Sequence, residues 1–221
     1  AAFANTNFWT MMCAPIAAGM IAIVQQGYRR KAGPDDKQIQ LICTIGSGLL
    51  AILLLSYEMD RWFNAQQQFD PVYRRYIQYC ATIVLWAIGS SAFLAGLKSR
   101  MSHPLKIAGL LPLVGSLLLA VYAFNFADPE ARHLLAINPL FGATLLVCVV
   151  MWAYSLTWTD QKTRIACGIG AGLITLLLFS LELDRWLWTL EELGGPYLDY
   201  LHHSSMSVLC AVGAPSFLVG A

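Results

Sequence analysis

Two carboxylates and an arginine occur twice in this chain at the same spacing. Glu58, Asp60 and Arg61 lie in SYEMDRWF (56–63), and Glu182, Asp184 and Arg185 lie in SLELDRWL (180–187). Acids set this close to an arginine offer two kinds of chemistry: they can bind a cation or a proton, or they can neutralise the arginine locally. If each string is helical, Glu58 and Arg61 are three apart on one face, as are Glu182 and Arg185, and each pair can close within its own turn. Trp62 and Trp186 stand four residues beyond the glutamates, and with Trp188 they suit anchoring at a membrane interface. The strings therefore read either as helix-end anchors with snorkelling charges or, if the two copies face one another, as a cation or proton site.

Other candidate chemistry is sparse. Gly46 and Gly48, with Gly168 and Gly172 in a literal G-x-x-x-G, fall in mid-span with no preceding strand, which favours close helix packing over a phosphate loop. His103, His133, His202 and His203 sit at span ends or in loops, a poor arrangement for haem held between helices. The six cysteines fall inside apolar runs without a C-x-x-C pair and read as small hydrophobes. No nucleophile stands with its base, so no catalytic residue, metal ligand or cofactor is expected, although bound lipids are.

The elements that carry these residues follow from composition. With 57% apolar and only 12% charged residues, the chain has too little polar surface for a water-surrounded core. Its charges are clustered, leaving uncharged windows at 1–28, 38–57, 76–97, 107–127, 134–159, 165–181 and 204–221. Each is near the ~20 residues of a spanning helix, and none alternates as a barrel strand would. The expected fold is an all-α polytopic transmembrane bundle of about seven spans. Aromatic-rich stretches within 62–76 and 186–203 are candidates for short interfacial helices.

Counting alternate loops puts Arg29, Arg30, Lys31, Lys37, Lys98, Arg100, Lys106, Lys162 and Arg164 on one side, against Asp35, Asp36 and Asp160. The other side carries five basic and ten acidic residues. The bias of Lys and Arg toward the cytoplasm then places loops 28–37, 98–106 and 157–164 inside and the N-terminus outside.

The duplicated string belongs to a longer repeat. At the same offset Ile45-Gly46-Ser47-Gly48 aligns with Ile169-Gly170-Ala171-Gly172, Asp36 with Asp160 and Tyr73 with Tyr197. With a shorter inner loop, Asn5-Thr6-Asn7-Phe8 falls on Asn138-Pro139-Leu140-Phe141. The unit is four spans long, 1–127 and then 128–221. An even span count gives both copies the same orientation. The second copy has three spans, which leads us to expect a parent chain with more units.

Trp86, Gly96-Leu97-Lys98-Ser99-Arg100 and His103-Pro104-Leu105-Lys106-Ile107-Ala108-Gly109-Leu110 together resemble the W…G-L-[RK]…P-L-R-x-A-G-L segment of a large family of bacterial predicted multi-spanning membrane proteins, the domain of unknown function 2339 type. Asn138-Pro139-Leu140-Phe141 is similar to the Asn-Pro-aromatic string that opens another span in that family. Where the family often closes its fourth span with Lys and, five residues on, Asp, this chain has Ala120 and Asn125. The resemblance implies a bacterial inner-membrane protein and supplies no activity or catalytic residue. Two functions are expected from these readings. The first is a non-catalytic accessory or scaffold component whose partners are the bilayer and other membrane subunits, not nucleic acid. The alternative is a transporter or channel using the duplicated Glu-x-Asp-Arg string.

Overall fold

A computed structural model describes residues 12, 13, 15–17, 19, 20, 34–95, 102–126, 138–158, 160–191 and 207. Among them five long helices occur and no strand: α1 (Pro34–Ala65), α2 (Pro71–Ala95), α3 (Ser102–Phe126), α4 (Pro139–Leu156) and α5 (Gln161–Glu191). All five contain stretches long and apolar enough to cross a bilayer. The windows expected at 1–28 and 204–221 lie largely outside the described residues; 12, 13, 15–17, 19, 20 and 207 are helical.

Local sequence explains where the helices begin. Asp70 caps α2, its Oδ2 accepting from the backbone N–H of Val72 at 2.9 Å and of Tyr73 at 3.0 Å, with Pro71 in the first helical position. Asn138 and Pro139 do the same for α4, the Asn138 Oδ1 accepting from the Phe141 N–H at 2.7 Å. At α5 the cap is Asp160, whose Oδ2 accepts from the Thr163 hydroxyl at 2.6 Å and from its N–H at 2.8 Å. These donors, the Thr163 hydroxyl foremost, hold the Asp160 carboxyl below the ordinary carboxylate range.

The helices outrun the uncharged windows. Charge ends hydrophobicity but does not break a helix, so α1 continues past residue 57 to Ala65 and α5 past 181 to Glu191. Stretch 62–76 accordingly holds no separate interfacial helix: 62–65 close α1, 66–70 turn, and the Asp70-Pro71 cap starts α2. At 1.5 Å per residue, the 32 residues of α1 span about 48 Å.

The described chain divides into two compact units, one of residues 1–78 with 85–116 and one of 79–84 with 117–221. This boundary falls inside α3, upstream of the repeat boundary at 127/128. In the first unit Ile52, Phe93, Leu105 and Ala108 form a core flanked by Leu41, Ile45, Leu49 and Trp86. Two glycine notches are filled here: a Cβ added at Gly48 would come within 2.7 Å of the Phe93 ring, and one at Gly89 within 2.5 Å of Ile52. Pro112 lies inside α3 and has no N–H for the carbonyl of Ala108, and Ser90 of α2 donates to the next carbonyl, that of Gly109, at 2.7 Å, tying α2 to α3 beside the proline.

In the second unit α4 packs along α5. Phe141 and Phe179 meet edge to face with centroids 5.5 Å apart, and Trp152 Nε1 donates to Thr175 Oγ1 at 3.3 Å. Cys80 and Cys148 are buried, Cys43 and Cys167 half-buried, and Cys13 exposed.

Candidate buried-carboxylate site

Because α1 runs unbroken through the charged string, Glu58 and Arg61 share a face, and Arg61 Nη1 stands 3.1 Å from Glu58 Oε2. The pair is asymmetric: the Glu58 side chain is 2% exposed and that of Arg61 43%. The carboxylate is thus desolvated while its cation reaches outward. Glu58 Oε1 is buried with no hydrogen-bond partner among the described residues. Its neighbour Asp60 turns elsewhere, Oδ2 accepting from Asn64 at 3.2 Å and Oδ1 from Gln78 of α2. Trp62 is exposed and meets Phe63 edge to face at 4.9 Å. Two residues before Glu58, the Ser56 hydroxyl donates to the Ile52 carbonyl at 2.7 Å and accepts from Trp86 Nε1 at 2.7 Å, tying α1 to α2.

Glu182, the counterpart in the second unit, is also buried, at 4% exposure. It is held differently. Asn138 Nδ2 donates to Glu182 Oε1 while Asn138 Oδ1 caps α4, so one amide fixes both a helix start and a buried carboxylate. The side chains of Asp184, Arg185, Trp186 and Trp188 lie outside the described residues, although the backbone of α5 is helical through all four.

Of the residues singled out in the sequence, the structure joins Glu58 to Arg61 and separates Asp60 from both. Gly48 serves close packing, against Phe93. Gly172 is buried, whereas a Cβ at Gly46 or Gly168 would meet nothing within 4 Å, so these two make no close helix contact here. Four residues take part that the sequence reading gave no role at the site: Asn138, Gln78, Ser56 and Trp86. Only Asn138 carried a local signal, since Asn-Pro is a helix-start signature and an amide that caps with its oxygen keeps two donors to spare.

Chemically, the arrangement stores two desolvated carboxylates near helix ends. Among the described residues no group of three His, Cys, Asp or Glu side chains is placed to hold a metal ion. His133, His202 and His203 lie outside the described residues, as does the His103 side chain. A scan of protein-family models and searches of curated proteins and of solved structures find no match to this chain.

Proposed function

We propose that this chain is a non-catalytic accessory or scaffold element of a larger assembly in a bacterial inner membrane. The observation that carries the reading is the outward surface of its helices. On α3, Ile107, Leu111, Val114, Leu118 and Val121 recur at alternating intervals of four and three and are all exposed. On α5, Ile169, Leu173 and Leu177 recur every four residues and are exposed as well, with Gly170 beside them opening onto empty space. An apolar stripe with a small residue in it suits a neighbouring transmembrane helix, because small side chains let backbones approach. The resemblance of 86–110 to the bacterial family supports the inner-membrane setting.

Purification of the native protein in mild detergent tests this. A membrane partner should copurify in fixed ratio and crosslink to cysteines placed at Leu173 and Leu177, and Gly170→Leu should weaken that association. Recovery of the chain alone, or crosslinks indifferent to Gly170→Leu, counts against it.

A second reading, a transporter or channel, is favoured by one specific observation: Glu58 and Glu182 occupy corresponding repeat positions and both are buried. Its test is cation or proton flux in liposomes, abolished by Glu58→Gln and Glu182→Gln.

A further inference from the structure

Equivalent faces of α5 and α1 are covered differently. In the second unit Leu117, Ala120 and Phe124, on the C-terminal half of α3, close over a small apolar cavity together with Ile174, Leu178 and Leu181 of α5. Those three α5 residues recur at intervals of four and three and so form one stripe of the helix. Leu178 is buried and the other two are half-buried. In the register that relates the duplicated strings, they fall on Leu50, Leu54 and Tyr57 of α1. There Leu54 is only half-buried, while Leu50 and Tyr57 are 46% and 55% exposed. The stripe that α3 covers in one unit lies open in the other.

The surroundings of the open stripe follow the second unit. Glu58 is buried one position beyond it, as Glu182 is beyond Leu181. Where α4 lies along α5 through Trp152 and Thr175, helical Gly19 lies along α1: an added Cβ would stand 3.9 Å from the Ser47 hydroxyl. In the register that puts Asn5 on Asn138, Gly19 falls on Trp152, and Ser47 falls on Ala171, one turn from Thr175. The second unit therefore supplies the template for what covers α1. Ala120, between the larger Leu117 and Phe124, lets the α3 backbone come close. On α1, Gly46 stands one turn before Leu50, and a Cβ there would meet nothing within 4 Å, so a crossing helix has room to approach. A second copy of this chain does not offer its own α3, because that face is already engaged with α5.

We infer that the Leu50, Leu54 and Tyr57 stripe of α1 binds a spanning helix of the α3 type from another repeat unit, one that sets a small residue between large apolar ones as Leu117-x-x-Ala120-x-x-x-Phe124 does. The inference rests on the duplication and not on the accessory reading, so crosslinking at Leu54 can fail while that at Leu173 and Leu177 succeeds. The full chain, stripped of its native cysteines and carrying Leu54→Cys, is reconstituted in bilayers with a synthetic peptide of residues 102–126 bearing Ala120→Cys, and disulfide formation is measured. The yield should be severalfold higher than for chains carrying Val149→Cys, on the outward face of α4, or Leu178→Cys, whose site the chain's own α3 fills. Leu50→Cys should behave as Leu54→Cys does, so loss of one variant to misfolding leaves the other to decide. Leu117→Ala with Phe124→Ala in the peptide should bring the yield down to the Val149 level, and a polyleucine helix with the same cysteine should do no better. A yield at Leu54 and Leu50 no higher than at Val149, or one that polyleucine matches, overturns the proposal. Leu54–Leu54 disulfides between chains that the peptide does not displace also overturn it, making a second copy the occupant.

Discussion

Arg61 and Glu58 show how differently the two halves of one ion pair can matter. The guanidinium is substantially solvated, so its Coulombic attraction is weak, but it supplies the donor to Glu58 Oε2. Arg61→Met should therefore destabilise the protein by about 1–3 kcal/mol, the cost of leaving a buried acceptor unmet. Glu58→Gln, which removes the charge and keeps an acceptor, should cost less; denaturant titration in detergent micelles compares the two. The reverse ranking would mean that the carboxylate charge has a further partner and would favour the transport reading. For the second unit, Asn138→Ala should cost about 2–4 kcal/mol, combining a lost cap with a lost carboxylate donor. Asn138→Asp keeps the cap but sets acid against acid, so Glu182→Gln should rescue it in a double-mutant cycle. The Glu58–Arg61 pair was legible in the sequence because helix geometry encodes neighbours three apart. The Asn138–Glu182 pair was not, since 44 residues separate the partners and no local spacing specifies that two helices meet there.

At the level of the helices, glycines that look alike in sequence should behave oppositely. Gly115 faces the Trp86 ring, which would overlap an added Cβ and is pinned by its bond to Ser56. Gly115→Ala should lower stability by about 1–3 kcal/mol through overpacking. Gly46→Ala and Gly168→Ala, facing open space, should be neutral or slightly stabilising in the same micellar titration, since alanine is the better helix former. The cap of α5 gives a pH dependence. The folded carboxyl of Asp160 is held below its unfolded value, so its contribution is complete above the ordinary carboxylate range and disappears as pH falls through the lower, folded value. Hydrogen exchange should show the N–H of Thr163 losing protection over that acidic interval, and Asp160→Ala should abolish the pH dependence. The existence of α1 to α5 was legible from uncharged windows, but their ends were not. Windows stop at the first charge, whereas helices stop where capping chemistry such as Asp70-Pro71 begins the next element.

Across the whole molecule, the lysine and arginine asymmetry makes a prediction about sidedness. In protein stripped of its native cysteines, Gln67→Cys should react with a membrane-impermeant maleimide in intact cells, and Gln161→Cys only after permeabilisation. The opposite pattern would invert the topology. The membrane character of the chain was plain from composition, because 12% charged residues cannot clothe a soluble surface. What covers the apolar stripes was not, since a sequence specifies an oily face without specifying its occupant. The unbroken course of α1 has one more consequence. From Lys37 to Glu58 is 21 residues (58 minus 37), or about 32 Å of rigid rise, and a hydrocarbon layer measures about 30 Å. The helix is a caliper whose ionic jaws close on the thickness of the film around it, and lipids with markedly shorter tails would force it to lean or the film to stretch.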